Sequence, residues 1–458
     1  MHADWCFLPG MEGLECSIAC AIGSFGGEER EGVGSASGTL EMMPTIDERM
    51  RAQHLEWLLA VTQIPTASGR EWRVVNWIRR WAAERPDLRL TEDGAGNLVL
   101  SPAEPWTSPS GGGPVFITAH LDHPAFVVER IVAPGVVELA FRGGVMDVYF
   151  RDAQVVIHTG GRDDRPALTA SARLSGVSSP RGATFTTYLA DLDGAAGEEA
   201  RESIAVGDVA VWSLPPAEIG GDGVVRTCAC DDLAAVAAAL SAMDVLRMRR
   251  GAGAPTEDVR LLFTRSEEIG FTGAIAACRL ETMPKGSRVI ALENSRSFAD
   301  SPIGGGPIVR VGDRLSIFDP RLTNACAKRA EDIAGHGAGP TASQRASDIK
   351  GWKWQRKLMA GGACEATVFC AYGYSATCLC LPLGNYHNMA DLAAVQDGTY
   401  DEGRLGPARV GPEYIHRDDY HGLIDLLVAI GTSLPEGDPA LPRIEKLYEK
   451  HAAVLAEK

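Results

Sequence analysis

The segment PVFITAHLDHP, residues 114–124, leads from strand-favouring residues directly into His120, Asp122 and His123. Side chains alternate between the two faces of a strand, so His120 and Asp122 point the same way while His123 points the other. This ending is ordinary if the strand has simply reached solvent. An imidazole and a carboxylate on one face also suit a metal or acid–base site, so the remaining sequence has to decide.

Four further segments with strand character end in the same way: VVRTCAC, VRLLFTRS, RVIALEN and SATCLCLPLGNYHNM. With the first segment, they give five successive strand ends that carry His120, Asp122, Asp231, Asp232, Glu267, Glu268, Glu293 and His387. One acidic strand end has a simple explanation, because the first turn of a helix favours Asp and Glu. Five in succession predict a common site, because ligands in open α/β sheets bind outside the carboxyl ends of the strands.

The residue types at these ends suit a pair of divalent metal ions, with zinc favoured and cobalt or manganese as alternatives. Imidazole nitrogen and carboxylate oxygen are normal zinc ligands, and catalytic sites keep a position open for water. Two neighbouring metals also need a carboxylate that can bridge them. Three ligating carboxylates and one hydroxide balance the charge of two divalent ions.

The elements around these residues predict an α/β domain interrupted by a β insertion. Helical spacing is found in IDERMRAQHLEWLLAVTQIP, GREWRVVNWIRRWAAERP and LAAVAAALSAMDVLRMRR, and VRLLFT and SRVIALEN have strand character. Between residues 126 and 225, helical spacing gives way to short strand-like runs separated by Gly, Pro and Asp, which favour a small all-β barrel. We predict a catalytic domain from residues 43–125 plus 226–458 and an inserted domain at 126–225. Residues 1–42 are interpreted as a disordered extension or as sequence translated upstream of a start near Met42 or Met43.

The net charge and the cysteine count limit the partners and the cellular environment that we expect for this protein. The chain has 458 residues and a net charge of −16, which argues against nucleic acid or an anionic membrane as the main partner. Eleven cysteines cannot all pair, and the acidic residues Asp4, Glu12 and Glu15 stand where a secretory signal would need a basic start, so a reduced, cytoplasmic protein is expected. Cys228 with Cys230, and Cys378 with Cys380, are interpreted as small buried apolar residues.

The order AHLD, CDD, EEIG, a later acid and YH resembles the co-catalytic dinuclear zinc exopeptidases. The β insertion between the first two motifs is similar to that of the deblocking or glutamyl aminopeptidases, which form tetrahedral assemblies. IPTASGREWRVV, DGAGNLVL, IAVGDVAVW and GGACEATVFCAYGYSATCLCLP extend the resemblance over residues 46–430. It implies a mixed-sheet zinc-exopeptidase domain, a peptide or small amide substrate, and a homo-oligomer.

The resemblance also implies a role for each site residue. His120 and Glu293 would hold one zinc, Glu268 and His387 the other, and Asp231 would bridge them. Asp122 would accept the second ring N–H of His120 and fix its tautomer. Glu267 would be the general base that moves a proton from water to the leaving amine. No substrate-binding residue is assigned.

Several positions depart from the family pattern, and they concern the substrate more than the metal. Glu293 stands where a shorter acid is usual, Leu233 replaces a basic residue, His123 begins a run that is usually acidic and apolar, and Glu365 replaces Asp. Two alternatives to an aminopeptidase stay open. One is a related hydrolase acting on N-acyl or other small amides, and the other is a metal-binding assembly module without catalysis.

Overall fold

The computed structural model describes residues 46–161, 165–179, 183–193, 198–339, 350–435 and 437–456. The predicted extension, residues 1–42, lies outside the described residues. Within the described ranges, every helix is too short or too polar to cross a bilayer.

The centre of the fold is an eight-stranded mixed sheet. Its strands are β1 (Leu88–Glu92), β2 (Leu98–Pro102), β3 (Val115–His120), β12 (Val259–Thr264), β13 (Arg288–Arg296), β14 (Ile308–Asp313), β15 (Gln355–Met359) and β16 (Ser375–Leu383). They are arranged in the order β1-β2-β12-β3-β13-β16-β14-β15. The four central strands β12, β3, β13 and β16 are parallel. Their carboxyl ends therefore meet at one edge.

Helices cover both faces of this sheet, as parallel strands with two buried faces require. The described helices are α1 (Glu48–Val61), α2 (Trp72–Ala83), α3 (Glu198–Glu202), α4 (Leu233–Gly251), α5 (Thr272–Arg279), α6 (Pro320–Ala334), α7 (Glu365–Ala371), α8 (Leu392–Gln396), α9 (Glu402–Leu405), α10 (Arg417–Thr432) and α11 (Leu441–His451). Ile117 and Ala119 of β3 pack on the side of α4 and α10, and Phe116 packs on the side of α5 and α7. The alanine-rich first turns of α4 are fully buried. Their small side chains allow close packing against α1 and α10.

A closed antiparallel barrel follows β3 in the chain. It is formed by β4 (Ala125–Ala133), β5 (Val136–Arg142), β6 (Gln154–His158), β7 (Thr169–Val177), β8 (Thr187–Leu192) and β9 (Val209–Trp212), in the order β4-β5-β8-β7-β6-β9. Its own core is aromatic, with Phe126, Phe141, Phe150, Tyr188 and Trp212 in mutual contact. The predicted fold class, a mixed α/β domain with a small all-β insertion, is confirmed. The domain boundaries at residues 126 and 225 stay a prediction.

A third, three-stranded sheet corrects one expectation. It contains β10 (Glu218–Ile219), β11 (Val224–Thr227) and β17 (Glu413–His416). The sequence groups the end of VVRTCAC with the strand ends of one open α/β sheet, but its strand β11 pairs with β10 and β17 instead. Four residues are too few to reveal from their pattern which sheet they join. The four cysteines discussed above are free thiols, and Cys230, Cys378 and Cys380 are buried as predicted.

Candidate metal centre

Five chain segments meet at the carboxyl edge of the central strands. His120 ends β3, Glu267 and Glu268 follow β12, and Glu293 lies in the second half of β13. His387 lies in a 3₁₀ turn, residues 386–388, after β16. The fifth segment is the link between β11 and α4, which carries Asp231 and Asp232. The topology therefore brings the sequence-predicted residues to one region.

Asp231 lies between two histidines. Its Oδ1 is 3.4 Å from His120 Nε2, and its Oδ2 is 3.5 Å from His387 Nε2. His387 Nε2 is also 3.5 Å from Glu268 Oε1. One ligand atom from each of His120, Asp231 and Glu268 lies within 4.8 Å of the others. A carboxylate that turns one oxygen to each of two imidazoles has the arrangement that a metal-bridging ligand needs.

Orphaned acceptors show that a cation fits this cluster. Asp231 Oδ1 and Glu268 Oε1 are buried and have no hydrogen-bond partner among the described residues. A buried acceptor without a partner costs about 1–3 kcal/mol, and more when it is charged. Coordination of a divalent ion removes this cost, and the donor set of imidazole and carboxylate groups suits zinc. These residues therefore fit a metal site.

The pKa values of the acids and histidines in the cluster also indicate a metal site. Burial raises the pKa values of Glu267, Glu268 and Glu293 well above their ordinary range. Burial lowers the pKa of His120, but neighbouring carboxylates, Glu267 first, outweigh it and raise the pKa well above 6.5. Burial raises the pKa of Asp231, but its contacts with His120 and His387 outweigh burial and lower the pKa overall. So many buried acids need positive charge to ionise together, and bound cations supply it.

Asp122 contacts His120 and also the backbone of the two glutamates that follow β12. Its Oδ1 accepts the backbone N–H of Glu267 at 2.9 Å, and its Oδ2 accepts that of Glu268 at 3.1 Å. Ser68 Oγ donates to Oδ2 at 2.5 Å. His120 Nδ1 is 3.1 Å from the backbone carbonyl of Asp122 and 3.5 Å from its carboxylate Oδ1. The predicted contact between the Asp122 carboxylate and the His120 ring is thus longer than the contact between the same ring and the main-chain carbonyl of Asp122.

His387 is held by groups from three parts of the chain. Its Nδ1 lies 2.6 Å from the carbonyl oxygen of Gly144, in the loop that follows barrel strand β5. Its backbone N–H donates to Glu413 Oε1 at 2.8 Å. The ring of Tyr386 stacks on its imidazole, with centroids 3.8 Å apart. A carbonyl acceptor at Nδ1 leaves Nε2 free to face Asp231 and Glu268.

Sequence reasoning missed Glu413, which is fully buried in β17. Its Oε2 accepts the backbone N–H groups of Cys230 at 2.6 Å and Asp231 at 3.0 Å. Its Oε1 accepts the N–H of His387, so one carboxylate fixes two candidate ligands. Glu413 occupies a four-residue strand far from every motif, and no spacing signal distinguishes it.

His123 and Asp232 also support the cluster. His123 Nδ1 contacts the carbonyl oxygen of Asp231, and its Nε2 is 3.0 Å from Asn388 Oδ1. Asp232 accepts the backbone N–H of His120 at 3.2 Å and the side-chain amide of Asn294 at 2.7 Å. The departure from the family pattern at His123 therefore has a structural role.

Glu267, Glu293 and Glu365 surround this centre. Glu267 Oε2 is 3.9 Å from His120 Nε2. Glu293 is buried and borders a cavity of about 410 Å³ together with Tyr386, although it is outside the compact group of His120, Asp231 and Glu268. Glu365, at the start of α7, is buried, and burial raises its pKa to about 7. Its negative charge helps to raise the pKa of Glu267.

The three-layer α/β fold, the inserted barrel and the buried histidine–carboxylate cluster define a metal-dependent hydrolase. The sequence model of the M42 glutamyl aminopeptidase family matches residues 106–335, half of the chain. The chain belongs to this family, which places it among metal-dependent peptidases.

Solved structures are similar over most of the chain. An aminopeptidase from the archaeon Desulfurococcus kamchatkensis is 20% identical, with a TM-score of 0.61 over 83% of this chain and 95% of its own. The TET1 peptidase of Pyrococcus horikoshii is 19% identical, with a TM-score of 0.59 over 82% and 99%. A TET aminopeptidase from a marine sediment Thaumarchaeota archaeon is 17% identical, with a TM-score of 0.62 over 86% and 99%. At these identities the likeness establishes the fold. Curated protein sequences give no match to the chain.

Proposed function

We propose that this protein is a two-metal aminopeptidase that removes N-terminal residues from peptides. The observation that carries the proposal is Asp231, whose two oxygens face His120 and His387 at 3.4 and 3.5 Å. A single metal needs no such arrangement, whereas two metals need a bridge. Zinc is the favoured ion because the donors are imidazole and carboxylate groups, and cobalt or manganese are alternatives.

Five residues would hold the two ions. His120 and Glu293 would hold one, Glu268 and His387 the other, and Asp231 would bridge them. The 3.5 Å separation of His387 Nε2 and Glu268 Oε1 supports the second pair. Support for Glu293 comes from its burial and from its position on β13, the strand next to β3.

Bound metal ions would supply Lewis-acid polarisation of the scissile carbonyl and of water. Glu267 does the proton chemistry. Its carboxylate takes a proton from water as the water oxygen adds to the carbonyl carbon. It then gives that proton to the amide nitrogen as the C–N bond breaks. The pKa of Glu267 is raised by burial, which suits a group that must both accept and release a proton. Asp122 orients Glu267 through the backbone hydrogen bond of 2.9 Å.

The substrate class is supported by the family and by relatives named as aminopeptidases. The test is a panel of aminoacyl p-nitroanilides with free or acetylated amines. The metal-free protein would be assayed before and after addition of Zn²⁺, Co²⁺ or Mn²⁺. Metal-dependent hydrolysis of the free-amine substrates alone is the expected result. Hydrolysis of only the acetylated substrates would indicate the amide hydrolase, and metal binding without any hydrolysis would indicate the assembly module.

We also propose a homo-oligomer. The TET1 peptidase of Pyrococcus horikoshii is described as assembling into a tetrahedron or a large octahedral shell. In the present chain, Leu441, Ile444, Leu447 and Tyr448 of α11 are each more than half exposed. Apolar surface of this kind is common where subunits meet. Light scattering at micromolar concentration is expected to give a multiple of 48.7 kDa, and a monomer would contradict the proposal.

A further inference from the structure

A second cavity, of about 430 Å³, lies between the barrel and residues 407–410. Its volume is within the range of pockets that bind small molecules, about 300–1,000 Å³. Residues 149–154, where the chain passes from β5 to β6, and Arg173 of β7 form one side, and residues 407–410 form the other. The candidate metal ligands are outside this lining. A ligand of this cavity would thus be separate from the substrate of the metal centre.

The cavity carries positive charge in a strongly acidic protein. Arg151, Arg173 and Arg409 line it, and the lining contains one acid, Asp152. Three arginines against one aspartate give a net charge of +2, whereas the whole chain has −16. Arg151 forms an ion pair with Glu402, and both side chains are 55% exposed. Among the described residues, Arg173 and Arg409 have neither an ion pair nor a side-chain hydrogen bond, so their guanidinium groups are free to bind an anion.

Buried residues give the cavity an apolar floor. Tyr149, Ala153 and Ala408 line it and are buried. The Tyr149 hydroxyl already donates to the carbonyl of Ala390 at 2.7 Å, so the ring offers apolar surface. An apolar floor combined with a few charged groups is the usual construction of a small-molecule pocket. Guanidinium groups bind phosphate and carboxylate groups through paired N–H donors, which indicates the chemical class of the ligand.

Backbone contacts connect this cavity to the turn that carries His387. The N–H of Ala390 donates to the carbonyl of Arg409 at 3.3 Å, and the N–H of Gly411 donates to the carbonyl of Asn388 at 2.8 Å. The two residues between these pairs form a β-bridge. Residues 388–390 directly follow the candidate ligand, so an anion that holds Arg409 also restrains this turn.

We propose that this cavity binds a small anion with phosphate or carboxylate groups, and that the bound anion holds residues 407–411 against the barrel. Arg173 belongs to the barrel and Arg409 to that segment, so one ligand that contacts both joins the two parts of the chain. The anion takes no part in hydrolysis. Its binding is therefore independent of the proposed aminopeptidase function, and the two proposals can fail separately.

The test is calorimetric titration of the metal-loaded protein with sulfate and with malonate. Sulfate has the tetrahedral oxygens of a phosphate group and malonate carries two carboxylates, so their relative affinities distinguish the two kinds of ligand. Sodium chloride at the same ionic strength is the reference, because it screens charges in the same way. Combining Arg173→Gln with Arg409→Gln removes both unpaired guanidinium groups, and the affinity should fall by at least about tenfold.

The matched control combines Arg80→Gln with Arg89→Gln, which removes the same charge from two exposed arginines outside the cavity. Its affinity for the anion should equal that of the wild-type protein. Any binding of sulfate at the metal centre would be the same in both double variants. Equal affinity in both double variants would overturn the proposal, and so would a wild-type response no larger than that to sodium chloride.

Hydrogen exchange gives a second readout. Sulfate should slow exchange of the Ala390 and Gly411 amides in the wild-type protein but leave it unchanged in the cavity double variant. Sulfate binding without slower exchange would overturn the restraint of residues 407–411. Arg173→Gln alone repeats the test if the double variant does not fold, because this side chain has no ion pair or hydrogen bond to lose among the described residues.

Discussion

Glu413 accepts a hydrogen bond from the backbone N–H of Asp231 at 3.0 Å, although 182 residues separate them along the chain. The other oxygen of the same carboxylate accepts the N–H of His387 at 2.8 Å. One buried carboxyl group therefore fixes the distance between the candidate bridging ligand and a candidate terminal ligand. The metal centre depends on a residue that is not itself a ligand.

Glu413→Gln tests this dependence. A glutamine offers one acceptor oxygen, and its NH₂ group would face a backbone N–H. A buried polar group that loses its hydrogen-bond partner costs about 1–3 kcal/mol, so we expect a lower Tm and a lower zinc affinity. Differential scanning calorimetry and metal titration measure these effects. The control is Glu445→Gln on the exposed helix α11, which should change neither quantity. Normal zinc affinity in Glu413→Gln would show that the centre holds its geometry without this carboxylate.

The two adjacent glutamates after β12 should respond differently to the same substitution. Glu267→Gln should keep near-normal zinc content and lose at least about 10²–10⁴-fold in turnover, because only the proton carrier is removed. Glu268→Gln should lower the occupancy of one zinc, because a neutral amide replaces an anionic ligand. Mass spectrometry of metal content, beside the rate on the best aminoacyl amide, separates the two effects. Equal zinc loss in both variants contradicts the assignment of roles.

The barrel contacts the metal centre through Gly144, and two adjacent glycines allow a matched test. Gly143 has φ of +142°, and a Cβ there would lie 2.8 Å from the backbone Cα of Pro124. Gly143→Ala should displace the loop, weaken the contact of Gly144 with His387, and lower zinc occupancy and kcat. A Cβ at Gly144 would lie 3.9 Å from His387 Nδ1, an ordinary contact, so Gly144→Ala should bind zinc normally. Equal zinc content in both variants would show that the barrel loop does not position His387.

Stability should fall in mild acid because of buried histidines near α1 and α10. Burial lowers the pKa values of His54 and His421 to about 4. In the unfolded chain these groups take up protons near pH 6.5, whereas the folded protein binds them only near pH 4. The two neutral histidines therefore cause no loss of stability above pH 6.5. As the pH falls from 6.5 to 4, the unfolded chain binds more protons than the folded protein, and the free energy of unfolding decreases.

His54→Leu should reduce this loss by about 1–2 kcal/mol between pH 7 and pH 5, as measured by urea unfolding at both values. His451→Leu on the exposed end of α11 is the control. The metal centre also responds to acid, so only the difference between the variants is informative. The same pH dependence in His54→Leu and in the wild-type protein would contradict the prediction.

The sequence alone indicated which elements form and which residue types end them. Alternating or continuous apolar runs predicted β3, β12 and β13, and helical spacing predicted α1, α2 and α4, because such patterns depend on neighbours a few positions apart. The histidines and acids were found because they follow those strands directly. Glu413, Asn388 and the carbonyl of Gly144 carry no comparable local signal.

Only the tertiary structure decided how these residues meet. Asp231 follows β11, which belongs to the three-stranded sheet and not to the central one, so its place between His120 and His387 depends on contacts across the fold. His123 joins the backbone of Asp231 to Asn388, and Glu413 joins Asp231 to His387. Three of these four contacts connect residues more than 100 positions apart, and the contact between Glu413 and His387 spans 26. Local patterns cannot encode such contacts, since they form only when the packing of sheets and helices has brought the segments together.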